Sequence, residues 1–238
     1  MTALRNAYAR LTRADEHIAD LKALHLEVCT AQAKATVVKY NPTIMIPPGE
    51  ARQVIEFDNT GHPPVPARIA LLAGDAADNL RAALNYLVGK LAVLDSGVRG
   101  RRNQFPIEPL PKNFQMNTKG ARGFLCGVNT AHSAVIEGLQ PYNGCKWTRA
   151  LGEISNYNKH NDLVVVTHDQ MISFIMTTDD PGEGLVTTAA MQVQIQPVLR
   201  IAMGNGMPLI EIIETIRYQV ADLLDTFNSE FERESPSF

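Results

Sequence analysis

The sequence predicts an α+β fold, with long helices near the N-terminus, in the centre and near the C-terminus packed on a mainly antiparallel β-sheet. Three observations predict it. Apolar residues recur at helical spacing over three long stretches. Runs rich in β-branched and aromatic residues, TVVKYNPTIMI, RQVIEFD and LVVVTHDQMISFIMT, lie between those stretches. Breaks rich in Gly and Pro separate the two kinds of segment. With no repeat at a fixed period and no low-complexity tract, the 238 residues read as a single α+β domain, 1–238.

Residues 3 to about 34 read as one helix. Leu4, Leu11, Ile18 and His25 share one heptad position, and Ala7, Ala14, Leu21 and Val28 share the other. Such a seam must be buried, either against another helix of the chain or in a homodimer through the long amphipathic helices. Residues 36–46 and 52–58, separated by PPGE, predict a hairpin, and NTGHPPVP a loop. A second helix, about 67–94, has Ile69, Ala76 and Ala83, with Ala73, Leu80, Leu87 and Leu94, as its seam. Residues 95–127 sustain no period and read as an irregular basic loop.

A short helix near 129–139, the turn LQPYNG and a helix near 146–159 follow. From residue 163 the pattern turns to β. MQVQIQ alternates strictly, so Met191, Val193 and Ile195 are expected to face the core, and Pro197 marks an edge or a bulge. The last helix, about 208–231, carries Ile212, Ile216, Val220, Leu223, Leu224 and Phe227 on one side.

The net charge of −3 argues against a generally basic nucleic-acid binder and leaves room for a local patch. Cys29, Cys126 and Cys145 are far apart and form no CxxC pair, which favours reduced thiols and a cytoplasmic location. The opening stretch MTALRNAYARLTRADEH lacks the apolar core of a signal peptide. No run of about 18 apolar residues predicts a membrane span.

Polar residues thread the central helix. Asp75, Asp78, Asn79, Ala82, Asn85, Tyr86 and Gly89 share a face, and Arg81 lies among them. A solvated face would normally carry Lys and Glu, because Asp and Asn are poorer helix formers. The small Ala82 and Gly89 suggest that another backbone approaches closely. In KWTRALGEISNYNKHNDL, Glu153, Asn156, Tyr157 and His160 again share one helical face. The two faces are expected to satisfy one another in a buried network of Asp75, Asp78, Asn79, Arg81, Asn85, Glu153, Asn156 and His160. In it Asp78 or Asp75 bonds His160 or Lys159. The alternatives are a solvated face, or a working site with His160, Asp78, Glu153 and Asn156 as catalytic candidates. His160 could equally cap the last carbonyls of its helix.

The ordered strings GDAADNLRAALNYLV, QFPI, IEGLQPYN and EISNYNKHNDL, spanning about 67–165, resemble a group of uncharacterised bacterial proteins, often actinobacterial or phage-associated. In that group the first motif reads approximately GD..HNLRSALDHL and the last N.DKH. Asp78 stands here where the group usually has His, and Asn85-Tyr86 stands for Asp-His. The resemblance implies a phage or mobile-element context and supplies no activity. The lost histidines make metal or imidazole chemistry at this stripe less expected.

Neither HExxH nor paired histidines occur among His17, His25, His62, His132, His160 and His168, so neither a metal nor another cofactor is expected. GxSxG and a Walker loop are also lacking. Arg10 and His17, with six residues between them, match the Arg/His spacing of helical HEPN-type ribonucleases, but Leu11 stands where those enzymes usually carry a polar residue. Residues 99–122 hold Arg99, Arg101, Arg102, Lys112, Lys119 and Arg122 against one acid, Glu108, with phenylalanines interleaved. That mixture suits an anion or single-stranded nucleic acid, or a solvated loop anchored by its phenylalanines. The expected role is therefore that of a binding or interaction protein. The alternative is a hydrolase, a HEPN-like ribonuclease using His160 with Asp75, Asp78 or Glu153.

Overall fold

The three long amphipathic stretches do fold as helices, but they pack on one another and not on a sheet. The computed structural model describes residues 4–40, 44–46, 50–52, 55–120, 122–160, 166–177, 190–201 and 208–234. Of these, 38–40, 44–46, 50–52, 55–57, 157–160, 166–177, 190–197, 201 and 234 are described by their backbone alone.

Helix α1 (Arg5–Ala35) buries Ala7, Leu11, Ala14, Ile18, Leu21 and Val28 of the seam read from the sequence, with Leu4 buried just before it and His25 only half-buried, and Cys29 and Gln32 besides. Helix α2 (Ala67–Ser96) follows Pro66, whose extended backbone precedes the first turn. It ends on Gly97, left-handed at φ 72°, which donates its N–H to the Val93 carbonyl at 2.8 Å. A glycine there closes the helix at no steric cost.

Ala76, Ala77, Leu80, Ala83, Leu84, Leu87, Val88 and Leu91 are all fully buried, so α2 is apolar on more than one side. A helix of that kind belongs in the middle of a core. It packs against α1, against α5 (Lys146–His160) and against α6 (Leu209–Glu234). Helix α6 also contacts α1 and α5, and buries Leu209, Ile213, Ile216, Val220, Leu224 and Phe227. Full burial of each Leu or Ile side chain contributes about 1.5–3 kcal/mol. The seams are thus covered within the chain.

The fold class is accordingly corrected from α+β to mainly helical. Among the described residues the strands make only separate two-stranded antiparallel ribbons. β1 (Val37–Tyr40) pairs with β4 (Ile55–Asp58), and β2 (Ile44–Ile46) with β3 (Glu50–Arg52), along the expected hairpin. β5 (Val166–Thr177) pairs with β6 (Ala190–Ile201). These ribbons do not join into a sheet on which helices could lie. The physical reason lies in α2: its several apolar faces give α1, α5 and α6 a partner that a sheet would otherwise provide.

A two-stranded ribbon is marginal alone, and this one is tied down where β6 meets α1 and α6 through the fully buried Leu199. Pro197 sits opposite Gln170 in β6. Each strand of such a ribbon keeps an open edge, so a residue without N–H is tolerated there. The side chains of Met191, Val193 and Ile195 lie outside the described residues.

The stretch 95–127 is also less irregular than expected. It contains helix α3 (Pro111–Thr118), which starts on a proline and is anchored by Phe114, 5% exposed. Proline at a first helical position lacks only a donor that would be unpaired anyway. Helix α4 (Thr130–Gly138) and a 3₁₀ turn (Pro141–Asn143) then lead into α5.

Candidate functional site: an ordered basic segment

The polar stripe of α2 is divided among three partners. Arg81 Nη1 donates to Ser155 Oγ and to Asn156 Oδ1 of α5, both at 2.8 Å. Burial pushes this guanidinium's pKa down, and the negative charges of Asp78 and Glu108 oppose the shift. Asn85 faces another way and accepts the Phe105 N–H at 2.8 Å through Oδ1. Asn79 returns Nδ2 to the Asp75 carbonyl at 2.8 Å and accepts Arg10 Nη1 at 3.2 Å.

Asp75 and Glu153 are exposed, while Asp78 is half-buried. The side chains of Lys159 and His160, and with them the proposed carboxylate–imidazole bond, lie outside the described residues. Thus Arg81 and Asn156 are brought together, Asn85 is turned to the following loop, and Asp75 and Glu153 are left on the surface. Arg10 is engaged with Asn79, and His17 is half-buried one heptad further along α1.

Gly89, read as a point where another backbone approaches, meets a side chain instead: Arg99 Nε lies 3.0 Å from where a Cβ would stand. From there the basic segment begins. Its backbone is held by amides that local spacing does not reveal. Asn103 donates Nδ2 to the carbonyls of Phe124 and Cys126, at 3.1 and 2.8 Å, and accepts the Gly100 N–H. Phe105, 1% exposed, plugs into the core below.

Gln140, fully buried, donates Nε2 to the Pro106 and Ile136 carbonyls, both at 2.9 Å. Its Oε1 accepts the Glu108 N–H at 2.9 Å. A buried amide with both ends engaged fixes the chain at each side, because any shift would leave a polar atom unpaired.

On this frame Arg99, Arg101, Arg102, Lys112, Lys119 and Arg122 are all exposed. None of the six is paired with a carboxylate among the described residues. The Arg102 guanidinium lies over the Phe124 ring, 5.4 Å from its centroid, which keeps a cation and an aromatic face together at the surface. The one acid of the segment, Glu108, accepts Asn117 Nδ2 at 2.7 Å.

Beside the segment, α3, the stretch 125–128 and α4 enclose a cleft of about 550 Å³. The far side of α4 is tied to the bundle by Asp95, which accepts the Asn129 N–H, Asn129 Nδ2 and His132 Nδ1 at 2.8–2.9 Å. His132 Nε2 stands 3.3 Å from Glu230 Oε2 of α6. Neither Asp95 nor Gln140 stands out in the sequence, because the partners that matter, His132 for Asp95 and Pro106 and Glu108 for Gln140, lie more than thirty positions away.

Among the described residues no group of three or more His, Cys, Asp or Glu could hold a metal ion. No helix among them is long and apolar enough to cross a membrane. The class of protein these features define is a mainly helical bundle with an ordered cationic surface. The chain matches no family model, no curated protein and no solved structure.

Proposed function

We propose that this is a binding protein whose contact surface is the basic segment 99–122, and that its ligand is a nucleic-acid backbone. One observation carries the reading: six exposed cations, none ion-paired among the described residues, stand on a backbone fixed by Asn85, Asn103 and Gln140. A surface ordered before contact loses less entropy on binding than a floppy loop would. Unpaired cations can release condensed counterions from phosphates, which supplies sequence-independent affinity. The remainder of the chain is acidic, which favours contact through the basic segment. A cytoplasmic location goes with this reading, supported by three free cysteines, Cys29, Cys126 and Cys145. Among the described residues nothing favours the hydrolase alternative: Asp75 and Glu153 are exposed carboxylates, and the side chain of His160 lies outside them.

The test is fluorescence anisotropy of a labelled oligonucleotide at a series of salt concentrations. Binding is expected to weaken as salt rises. The variant Arg101→Glu/Arg102→Glu should bind at least about tenfold more weakly, and two lost single-strand contacts should flatten the log–log salt slope by about 1.4. The circular dichroism spectrum should not change, since both side chains are exposed. No binding at low salt, or binding indifferent to the double charge reversal, defeats the proposal.

A further inference from the structure

Charge alone does not distinguish one polyanion from another. The cleft beside the basic segment does. Its floor is apolar: Phe114 and Leu125 line it and are each 5% exposed. Its rim is polar, with Thr118 and Lys119 at the end of α3 and Ser133 and Glu137 on α4. At about 550 Å³ it falls within the range of small-ligand pockets, roughly 300–1,000 Å³.

The walls are held. Asn103 grips the Phe124 and Cys126 carbonyls on one side. Phe114 meets Tyr142 edge-on at 6.3 Å, and Tyr142 donates its hydroxyl to Glu137 Oε1 at 2.9 Å. The second oxygen of Glu137 accepts nothing among the described residues. Lys119 belongs both to the rim and to the cations of the basic segment, so a phosphate held by Lys119 would lie at the opening.

An unstacked nucleobase has the complementary character, with apolar faces and a polar edge. In a duplex those faces are stacked and the edges paired, whereas a single strand presents them without unpairing. We infer that the ligand of the basic segment is single-stranded nucleic acid, with one base lodged in the cleft between α3 and α4 and its phosphates on Lys119 and the neighbouring arginines. This rests on the nucleic-acid reading above and narrows it. Ser133 and the free oxygen of Glu137 then face the base edge as acceptors, which favours bases that carry an exocyclic amino group.

The experiment compares four probes on the full chain by anisotropy at one low salt concentration. They are a labelled single strand, the same strand annealed to its complement, an abasic strand of equal length and charge, and inorganic polyphosphate as competitor. The base-bearing strand is expected to bind about tenfold more tightly than the abasic one, corresponding to about 1.4 kcal/mol. Ser133→Phe, which fills the cleft, should abolish that difference and leave abasic binding unchanged. Thr130→Trp, on the exposed rim, repeats the test should Ser133→Phe lower the melting point. Equal affinity for the abasic and base-bearing strands, or a duplex bound as tightly as the single strand, overturns the inference while the cationic contact surface stands. No binding of any probe removes both.

Discussion

Arg81 of α2 and Asn156 of α5 are joined by a 2.8 Å hydrogen bond, and the same guanidinium nitrogen holds the fully buried hydroxyl of Ser155. The arrangement makes Arg81 a strut between two helices. It also gives the buried Ser155 hydroxyl a charged donor. Arg81→Ala is expected to cost about 1.5–3 kcal/mol, the usual range for hydrogen bonds to a charged group. Arg81→Lys should recover little, because an ammonium lacks the planar fork. Urea denaturation of Arg81→Ala, Asn156→Ala and the double variant checks this. The effects should be non-additive, and simple additivity would show that the two side chains do not act together.

Asn85 links the same helix to the basic segment, since its Oδ1 is the acceptor for the Phe105 N–H. Asn85→Ala removes that acceptor and leaves a donor at a nearly buried residue. A loss of about 1–3 kcal/mol is expected. The loosening should be local as well as global, so trypsin should cut at Arg101 and Arg102 faster than in the parent protein under conditions where both are folded. Unchanged cleavage would mean that Asn103 and Gln140 hold the segment without help from α2.

Two glycines separate contact with a movable side chain from contact with backbone. The atoms nearest a Cβ at Gly89 belong to the guanidinium of Arg99, which can swing aside, and a mid-helix alanine is favoured over glycine by roughly 0.5–1 kcal/mol. Gly89→Ala should therefore leave stability level or slightly raised. A Cβ at Gly123 would fall on the Thr118 carbonyl and within 2.7 Å of the Lys119 carbonyl, neither of which can rotate away. Gly123→Ala should cost at least the roughly 1–3 kcal/mol typical of overpacking. Thermal melts of the two variants, read side by side, test the contrast, and equal effects would contradict the geometry.

The helices were legible because burial of an amphipathic face leaves a local, periodic trace. Ala7, Ala14, Leu21 and Val28 mark α1, and Leu80 and Leu87 mark α2, at spacings that any buried helix must show. Sheet formation leaves no comparable trace. β-Branched runs identified strands, but nothing in 37–58 or 166–201 states how many neighbours a strand will have. Helix α3 was hidden because eight residues with a single buried side chain, Phe114, show no period.

The stripe on α2 drew notice through residue type, and its partners Ser155 and Phe105 could not be chosen, because pairing across tens of positions is set by packing. Gln140, inside what reads as a plain turn, is the clearest case: its importance lies in complete burial and three hydrogen bonds, and the sequence shows neither.

His25 gives the chain a measurable dependence on pH. It sits on α1 beside Cys29, whose Sγ is 3.7 Å from Nε2, and it lines a cleft with Leu199, Leu209 and Tyr218. Burial lowers its pKa from the ordinary value, so the folded protein prefers the neutral ring. Once unfolded, the chain regains the ordinary value near about 6.5 and takes up a proton first as pH falls. In the window between the two values the unfolded state holds more protons, and stability drops with falling pH. Above about 6.5 the two states are equally unprotonated at this site and the effect vanishes. Below the folded value both are protonated, and the loss is complete and constant. The difference in melting temperature between the parent and His25→Gln, followed from neutral to mildly acidic pH, isolates this residue from the other histidines. The parent should lose more stability than the variant across the window. Parallel curves would show that His25 is solvated in both states.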